Sequence, residues 1–277
     1  MAEMTGKLCL VTGANSGIGL ATATKLARKG AHVVMVCRDA ARGEAARDQI
    51  RRLTGNQQVD LLRADLADLS QVRRLAEDYQ SRYPRLDVLI HNAGVMKKRR
   101  EVSADGHELQ LAVHFLTPFL LTHALRDALE AAPAARVVSV ASMLHRFGKL
   151  DFDDLHAVRR YSMWRQYGAS KLATIVFTYE LARRLENTNI TANCLHPGVI
   201  GSNLESNPRW LRPFLASPET GARTPVYLAS SPELEGVTGR YFVACSPRDS
   251  SPASRNPAVA RQLWRIGEDL TGARWPT

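Results

Sequence analysis

Tyr167 and Lys171 stand four residues apart in Tyr167-Gly-Ala-Ser-Lys171, inside a helically patterned stretch, so both side chains fall on one face. A free phenol, with a pKa of about 10, is a poor base at neutral pH. A neighbouring ammonium stabilises the phenolate, lowers that pKa and makes proton transfer usable. The same pair also occurs on ordinary solvated helix faces, so its meaning depends on where the chain places it. A second constellation, Thr12-Gly-Ala-Asn-Ser-Gly-Ile-Gly19, joins a short apolar run to a helical pattern. A strand–glycine turn–helix unit gathers backbone N–H groups and the positive end of a helix dipole where a pyrophosphate can sit. Gly13 can take turn dihedrals closed to other residues, Gly17 lets backbone approach phosphate, and Gly19 lets helix pack on strand. Asn15, Ser16 and Ile18 complete the turn. Its spacing is GxxxGxG rather than GxGxxG, and a purely structural turn with three fortuitous glycines is the alternative.

The next apolar run ends Val36-Cys37-Arg38-Asp39. An NAD site usually has a carboxylate there for the ribose hydroxyls. Neutral Cys37 followed by Arg38 instead suits a 2′-phosphate, which a guanidinium can pair bidentately, and predicts NADP(H). The alternative is a solvated arginine opening an Arg-rich helix.

These groups need a frame. Short apolar runs at Lys7–Thr12, His32–Cys37, Val59–Leu62, Leu86–Ile90, Arg136–Val140 and Ile190–Leu195 read as strands. Helical patterns cover Gly17–Arg28, Ala40–Leu53, Leu69–Arg82, Asp105–Leu129 and Tyr161–Glu186. Such alternation predicts an α/β fold, a single Rossmann-type doubly wound parallel sheet of about seven strands with helices on both faces.

The 277 residues suffice for one large core and are too few for two ordinary domains, so residues 1–277 are read as one unit. An apolar fraction of 45% argues against disorder. The longest charge-free stretches, Leu109–Leu125 and Asn187–Leu204, are interrupted by polar residues and proline, which argues against a membrane span. Met1–Gly6 has no apolar core, so no signal peptide is expected. Cys9, Cys37, Cys194 and Cys245 form no close pair, which fits buried thiols in a reducing, cytoplasmic setting and no metal site. Lysine and arginine exceed acids by 37 to 27, a net charge of +10 that admits nucleic acid, an anionic membrane or an anionic ligand.

Taken together, the motifs resemble the short-chain dehydrogenase/reductase family over nearly the whole chain. TGxxxGIG matches Thr12–Gly19, the adenine-side acid matches Asp65 in Ala64-Asp65-Leu66, and the NNAG loop matches His91-Asn92-Ala93-Gly94. YxxxK matches Tyr167–Lys171, and the PG motif matches His196-Pro197-Gly198. Cys37-Arg38-Asp39, Lys171–Leu185, Thr238–Phe242 and Ala260–Trp264 further resemble the retinol-dehydrogenase-like branch. That likeness implies exchange of hydride with lipophilic aldehydes, ketones or alcohols, typically using NADP(H). Membrane-bound members of the branch carry an N-terminal apolar anchor; six residues before the first strand suggest a relative without one. The family often forms homodimers or homotetramers.

By the same resemblance, Ser142 is the serine that hydrogen-bonds the substrate oxygen, with Ser139 the competing candidate. Tyr167 is general acid for reduction and base for oxidation, and Lys171 binds the nicotinamide ribose and tunes Tyr167. Asp65 and Leu66 lie at the adenine, and Asn92, Ala93 and Gly94 line the cofactor. Pro197, Gly198, Val199, Ile200 and Ser202 approach the nicotinamide. The chain departs from the family where a helical Asn holds a water linked to the lysine. His114 stands there, with Thr117 and Pro118 following. His114 is either a titrating relay or a buried histidine that fills space. Pro118 should disturb its helix. A catalytically weak NADP(H)-binding sensor or partner protein is the alternative function.

Residues 202–218 include Pro208, Trp210, Leu211, Pro213, Phe214 and Leu215 and read as an apolar substrate flap, a subunit contact or a packed helix. His145, Phe147, Tyr161 and Trp164 are expected at the same mouth. Lys97-Lys98-Arg99-Arg100 and Arg159-Arg160 read mostly as a solvated face; near the mouth their field would also steer NADPH, which carries roughly four negative charges. No element for reading nucleic acid accompanies them.

Overall fold

The computed structural model describes residues 3–200 and 216–275. Six strands follow the expected apolar runs: β1 (Leu8–Thr12), β2 (His32–Cys37), β3 (Val59–Arg63), β4 (Val88–His91), β5 (Ala135–Val140) and β6 (Ile190–His196). The first crossovers are α1 (Gly17–Arg28), α2 (Ala40–Thr54) and α3 (Leu69–Gln80). Between β4 and β5 lie α4 (Leu109–Leu111), α5 (Thr117–Ala124) and α6 (Arg126–Glu130), and α7 (Met163–Arg184) precedes β6. The remainder holds α8 (Pro218–Gly221), α9 (Arg223–Ser230), β7 (Tyr241–Val243), β8 (Ser246–Arg248) and α10 (Pro257–Thr271).

All eight strands form one sheet in the order β3-β2-β1-β4-β5-β6-β7-β8. Seven run parallel; β8 turns back antiparallel on β7, one strand beyond the expected seven. Side chains alternate across the strands. Leu10 and Val34 enter one core with Leu75, Phe119, Phe177 and Trp264. Their neighbours Val11, Val33 and Met35 enter the other with Leu26, Ile50 and Phe242. The chain order reverses beside β1, between β2 and β4, which opens a crevice at the carboxyl ends of those strands.

The expected long helix over Asp105–Leu129 starts later and is broken. Gly106 takes φ +81° and Ser103 N–H donates to His107 O, closing a turn. The Glu108 carboxylate then caps α4 by accepting from Gln110 and Leu111 N–H. Ala112–Leu116 forms a π turn in which Thr117 N–H reaches back to Ala112 O. Pro118 has no N–H for the carbonyl of His114; the Thr174 hydroxyl of α7 donates to it instead, at 3.0 Å.

Candidate active site

The turn from β1 to α1 opens into the crevice. Gly13 has φ +65°, and a Cβ there would lie 3.0 Å from Ala93 Cα. A Cβ on Gly19 would stand 2.2 Å from Gly13 O, so helix and turn touch backbone to backbone. Gly17, at φ +55°, has nothing within 4 Å of a Cβ position. The Ser16 side chain does not cap α1, and no acidic residue occupies its first turn. Donors, dipole and open space therefore coincide, and the turn fits a dinucleotide pyrophosphate. Asn92 supports it from beneath, giving its amide N–H to Thr12 O at 2.8 Å, while its own N–H donates to Thr12 Oγ1. Ala93 N–H donates to the same hydroxyl, and Gly94 is exposed beside them.

Tyr167 and Lys171 lie on α7 behind this turn, both buried. Burial pushes the Tyr167 phenol up to about 12, and the neighbouring Ser142 hydroxyl pulls it part of the way back. Burial brings Lys171 down to about 7. The Lys171 ammonium donates to Val140 O at 2.9 Å and stands 5.7 Å from the centre of the Tyr167 ring. Desolvation dominates both groups, so the phenol lies above its usual range rather than below it as expected. Ser142 sits just past β5 at the start of a 3₁₀ turn over Met143–Phe147. Ser139 is fully buried inside β5, where its hydroxyl finds no partner.

His114 lies on the π turn with both ring nitrogens engaged. Nε2 accepts from Val95 N–H at 3.0 Å, which puts the proton on Nδ1, 2.8 Å from Ser170 Oγ. Ser170 Oγ in turn donates to Tyr167 O. Burial, with Lys171 nearby, holds His114 well below the usual imidazole range. Its ring meets Tyr167 edge-on at 5.5 Å. His114 therefore joins the Gly94–Val95 loop to α7, which favours a neutral hydrogen-bonded histidine over a titrating relay. His91 and His196 are also buried, and desolvation takes them to about 3 and about 4.

The remaining predicted residues spread around the crevice. Arg38 is 76% exposed and reaches Asp65 at 3.3 Å. Leu66 is buried, and its carbonyl accepts from Thr117 Oγ1. Pro197 and Gly198 (φ +98°) follow β6, and Val199 is exposed. Ile200 is buried near Gly221 and Ile18, joining this turn to the phosphate turn. Ser202 lies outside the described residues, as do residues 202–215 of the expected flap. Of the expected mouth residues, Phe147 and Trp164 are exposed, but Tyr161 donates to Lys97 O and His145 is fully buried. Cys245 is only partly buried, unlike the other three thiols; all four are free. Arg100 and Arg159 are tied to His156 O and Asp154, respectively. Among the described residues no helix is long and apolar enough to cross a membrane, and no cluster suits a metal.

A family model described as short chain dehydrogenase matches residues 7–209. The chain belongs to the short-chain dehydrogenase family. Human "Retinol dehydrogenase 14" is 43% identical, covering 97% of this chain and 87% of its own. Human "Retinol dehydrogenase 12" is 41% identical over 99% of this chain and 89% of its own. A solved protein from Mycobacterium paratuberculosis superposes with a TM-score of 0.82 at 35% identity, covering 99% of this chain and 96% of the other. A short chain dehydrogenase from Escherichia coli CFT073 complexed with NADPH gives a TM-score of 0.73 at 25% identity, covering 88% and 99%. Like other members of its family, this short-chain dehydrogenase is an oxidoreductase that uses a nicotinamide cofactor on alcohol and carbonyl groups.

Proposed function

We propose that this chain is an NADP(H)-dependent oxidoreductase interconverting lipophilic aldehydes or ketones and their alcohols. The observation that carries the reading is the pair Tyr167 and Lys171, buried one turn apart on α7 with the Lys171 Nζ 5.7 Å from the centre of the Tyr167 ring, and Ser142 just past β5. When bound, the nicotinamide supplies or accepts the hydride. Residues Gly13–Gly19 would hold its pyrophosphate, with Asp65 and Leu66 at the adenine side and Asn92–Gly94 and Pro197–Ile200 along its length. β2 ends in the neutral Cys37, and Arg38 beside it is largely exposed, reaching Asp65 at 3.3 Å; this supports a 2′-phosphate partner, as does NADPH in the E. coli relative.

In reduction, Ser142 holds the substrate oxygen and Tyr167 gives its phenolic proton to that oxygen as negative charge develops. Lys171, brought down to about 7 by burial, sits where its charged form can stabilise the phenolate left behind. Met143, Phe147, Trp164 and Val199 are exposed large apolar side chains within a few residues of Ser142, Tyr167 or the Pro197-Gly198 turn. They support an apolar substrate, as do the relatives named retinol dehydrogenases.

A panel of aldehydes and ketones followed by NADPH absorbance tests the reading, with Tyr167→Phe as control. Turnover abolished in the control is expected; tight NADPH binding without any turnover would instead indicate the sensor. Arg38→Ala should raise the KM for NADPH about tenfold or more and leave that for NADH unchanged. An unaltered NADPH/NADH preference would remove Arg38 from the 2′-phosphate site.

A further inference from the structure

The turn that carries Ser142 is held mainly by hydrogen bonds: Leu144 N–H donates to Ser142 Oγ and Met143 N–H to His196 Nδ1, both at 3.3 Å. Of its residues Met143–Phe147, only His145 is buried, while Met143 and Phe147 are 47% and 79% exposed. Apolar burial therefore does not fix the direction of the Ser142 hydroxyl. The His145 imidazole does two things that an apolar side chain cannot. Ser251 N–H donates to Nε2 at 3.1 Å, which makes Nε2 an acceptor and leaves the ring proton on Nδ1. Nδ1–H then donates to Ser142 O at 2.7 Å, and the backbone N–H of His145 donates to the same carbonyl at 3.2 Å. The ring edge packs on Tyr241 at 5.2 Å, so the clamp is seated on β7.

The far end of the clamp is itself braced. Ser250 Oγ pairs with Tyr179 OH of α7 at 2.8 Å, and Ser254 Oγ donates to Ser251 O. Arg146 reaches Asp249 O from the same turn as His145. Resting on the reading of Ser142 and Tyr167 given above, we propose that His145 is a positioning residue for the reaction. It fixes the Ser142 carbonyl against the Ser250–Ser254 segment and so aims the Ser142 hydroxyl at the Tyr167 phenol. The role belongs to a neutral imidazole in a single tautomer, donating at one nitrogen and accepting at the other.

A double-mutant cycle separates this role from simple space filling. His145→Leu keeps much of the volume without either hydrogen bond, and His145→Gln can both donate and accept. His145→Leu should lower kcat about 10- to 100-fold, with NADPH affinity changed less than threefold, and His145→Gln should recover most of the loss. In a Ser142→Ala background, His145→Leu should cost little further in kcat, because the group it aims is gone. Equal losses in both backgrounds, or an unchanged kcat in His145→Leu, overturn the proposal.

Amide hydrogen exchange over residues 143–147 supplies a readout independent of turnover. His145→Leu should speed exchange there while His145→Gln leaves it near the native rate; equal rates in all three proteins refute the clamp. If the unmodified protein turns over no carbonyl but the exchange pattern holds, the assignment of Ser142 and Tyr167 fails while the clamp stands.

Discussion

The two halves of the crevice are built from different materials. The β1–α1 side is backbone: three glycines, uncapped N–H groups and an asparagine brace, with no ionisable side chain in the turn itself. The α7 side is a set of buried titratable side chains, Tyr167, Lys171 and His114, each driven toward its neutral form by desolvation. On the first side function rests on shape, so added atoms should be harmful. On the second it rests on protonation, so removed atoms should be harmful even where shape survives.

Tyr167→Phe gives the largest expected effect and tests the second half most directly. It should cut kcat by about 10²–10⁴-fold, the usual range for a lost general acid, with NADPH affinity within a few-fold by fluorescence titration. A comparable loss of NADPH affinity would erase the distinction between the halves. Gly19→Ala tests the first half. Its Cβ would collide with Gly13 O, so thermal melts should show about 1–3 kcal/mol of destabilisation together with weakened NADPH binding. Gly17→Ala meets no protein atom, so its cost is the left-handed backbone, about 1–2 kcal/mol, and lost phosphate space. A native melting temperature for Gly19→Ala would show that close approach at Gly19 is unimportant.

His114→Asn sharpens the comparison further. Asparagine is too short to keep both the Val95 and Ser170 partners, and one orphaned buried group costs about 1–3 kcal/mol. The pH–rate profile should not move, since burial holds the native imidazole well below the usual range; a displaced acid limb would restore the titrating relay. His91→Asn gives the smallest effect. His91 has its folded pKa depressed to about 3, so the unfolded chain binds the extra proton below about 6.5 and stability falls on acidification through that window. Removing it should make the loss of melting temperature between pH 7 and 5 shallower, by up to about 2 kcal/mol of linkage. An unchanged slope would mean that His91 is charged in the folded protein.

The same division governs what could be read from the sequence. β1 to β6 and the glycine turn were legible because each is local: a short apolar run, or glycines at fixed spacing. β7 and β8 were not, since β7 has three residues and β8 reads Ser-Pro-Arg with no apolar alternation. Their connection uses Ala244 and Cys245 at positive φ, where no glycine marks a turn. The positions of Tyr167, Lys171 and His114 were legible through motif spacing, but their proton states were not. Desolvation depends on everything packed around a group, and YxxxK alone suggested a lowered phenol pKa that burial reverses. His145 was expected at the mouth on its place in the chain; its partner Ser251 lies 106 residues further along, so no local pattern marks the contact.

The π turn over Ala112–Leu116 behaves like a dislocation in a crystal row. One residue more than α geometry needs has been taken into the helix, and the segments on either side are out of step by that residue. No substitution can heal such a fault; only a change in chain length can. Deleting a residue between Ala112 and Leu116 would restore regular winding and turn the flanking segments by about 100° relative to each other. His114 would leave its partners while most of the sheet stayed intact. Pro118 would still offer no N–H to the straightened helix. Phe119, Leu120 and Leu121, fully buried just beyond the fault, would turn with it, so the extra residue keeps the core and the His114 contacts in register at once.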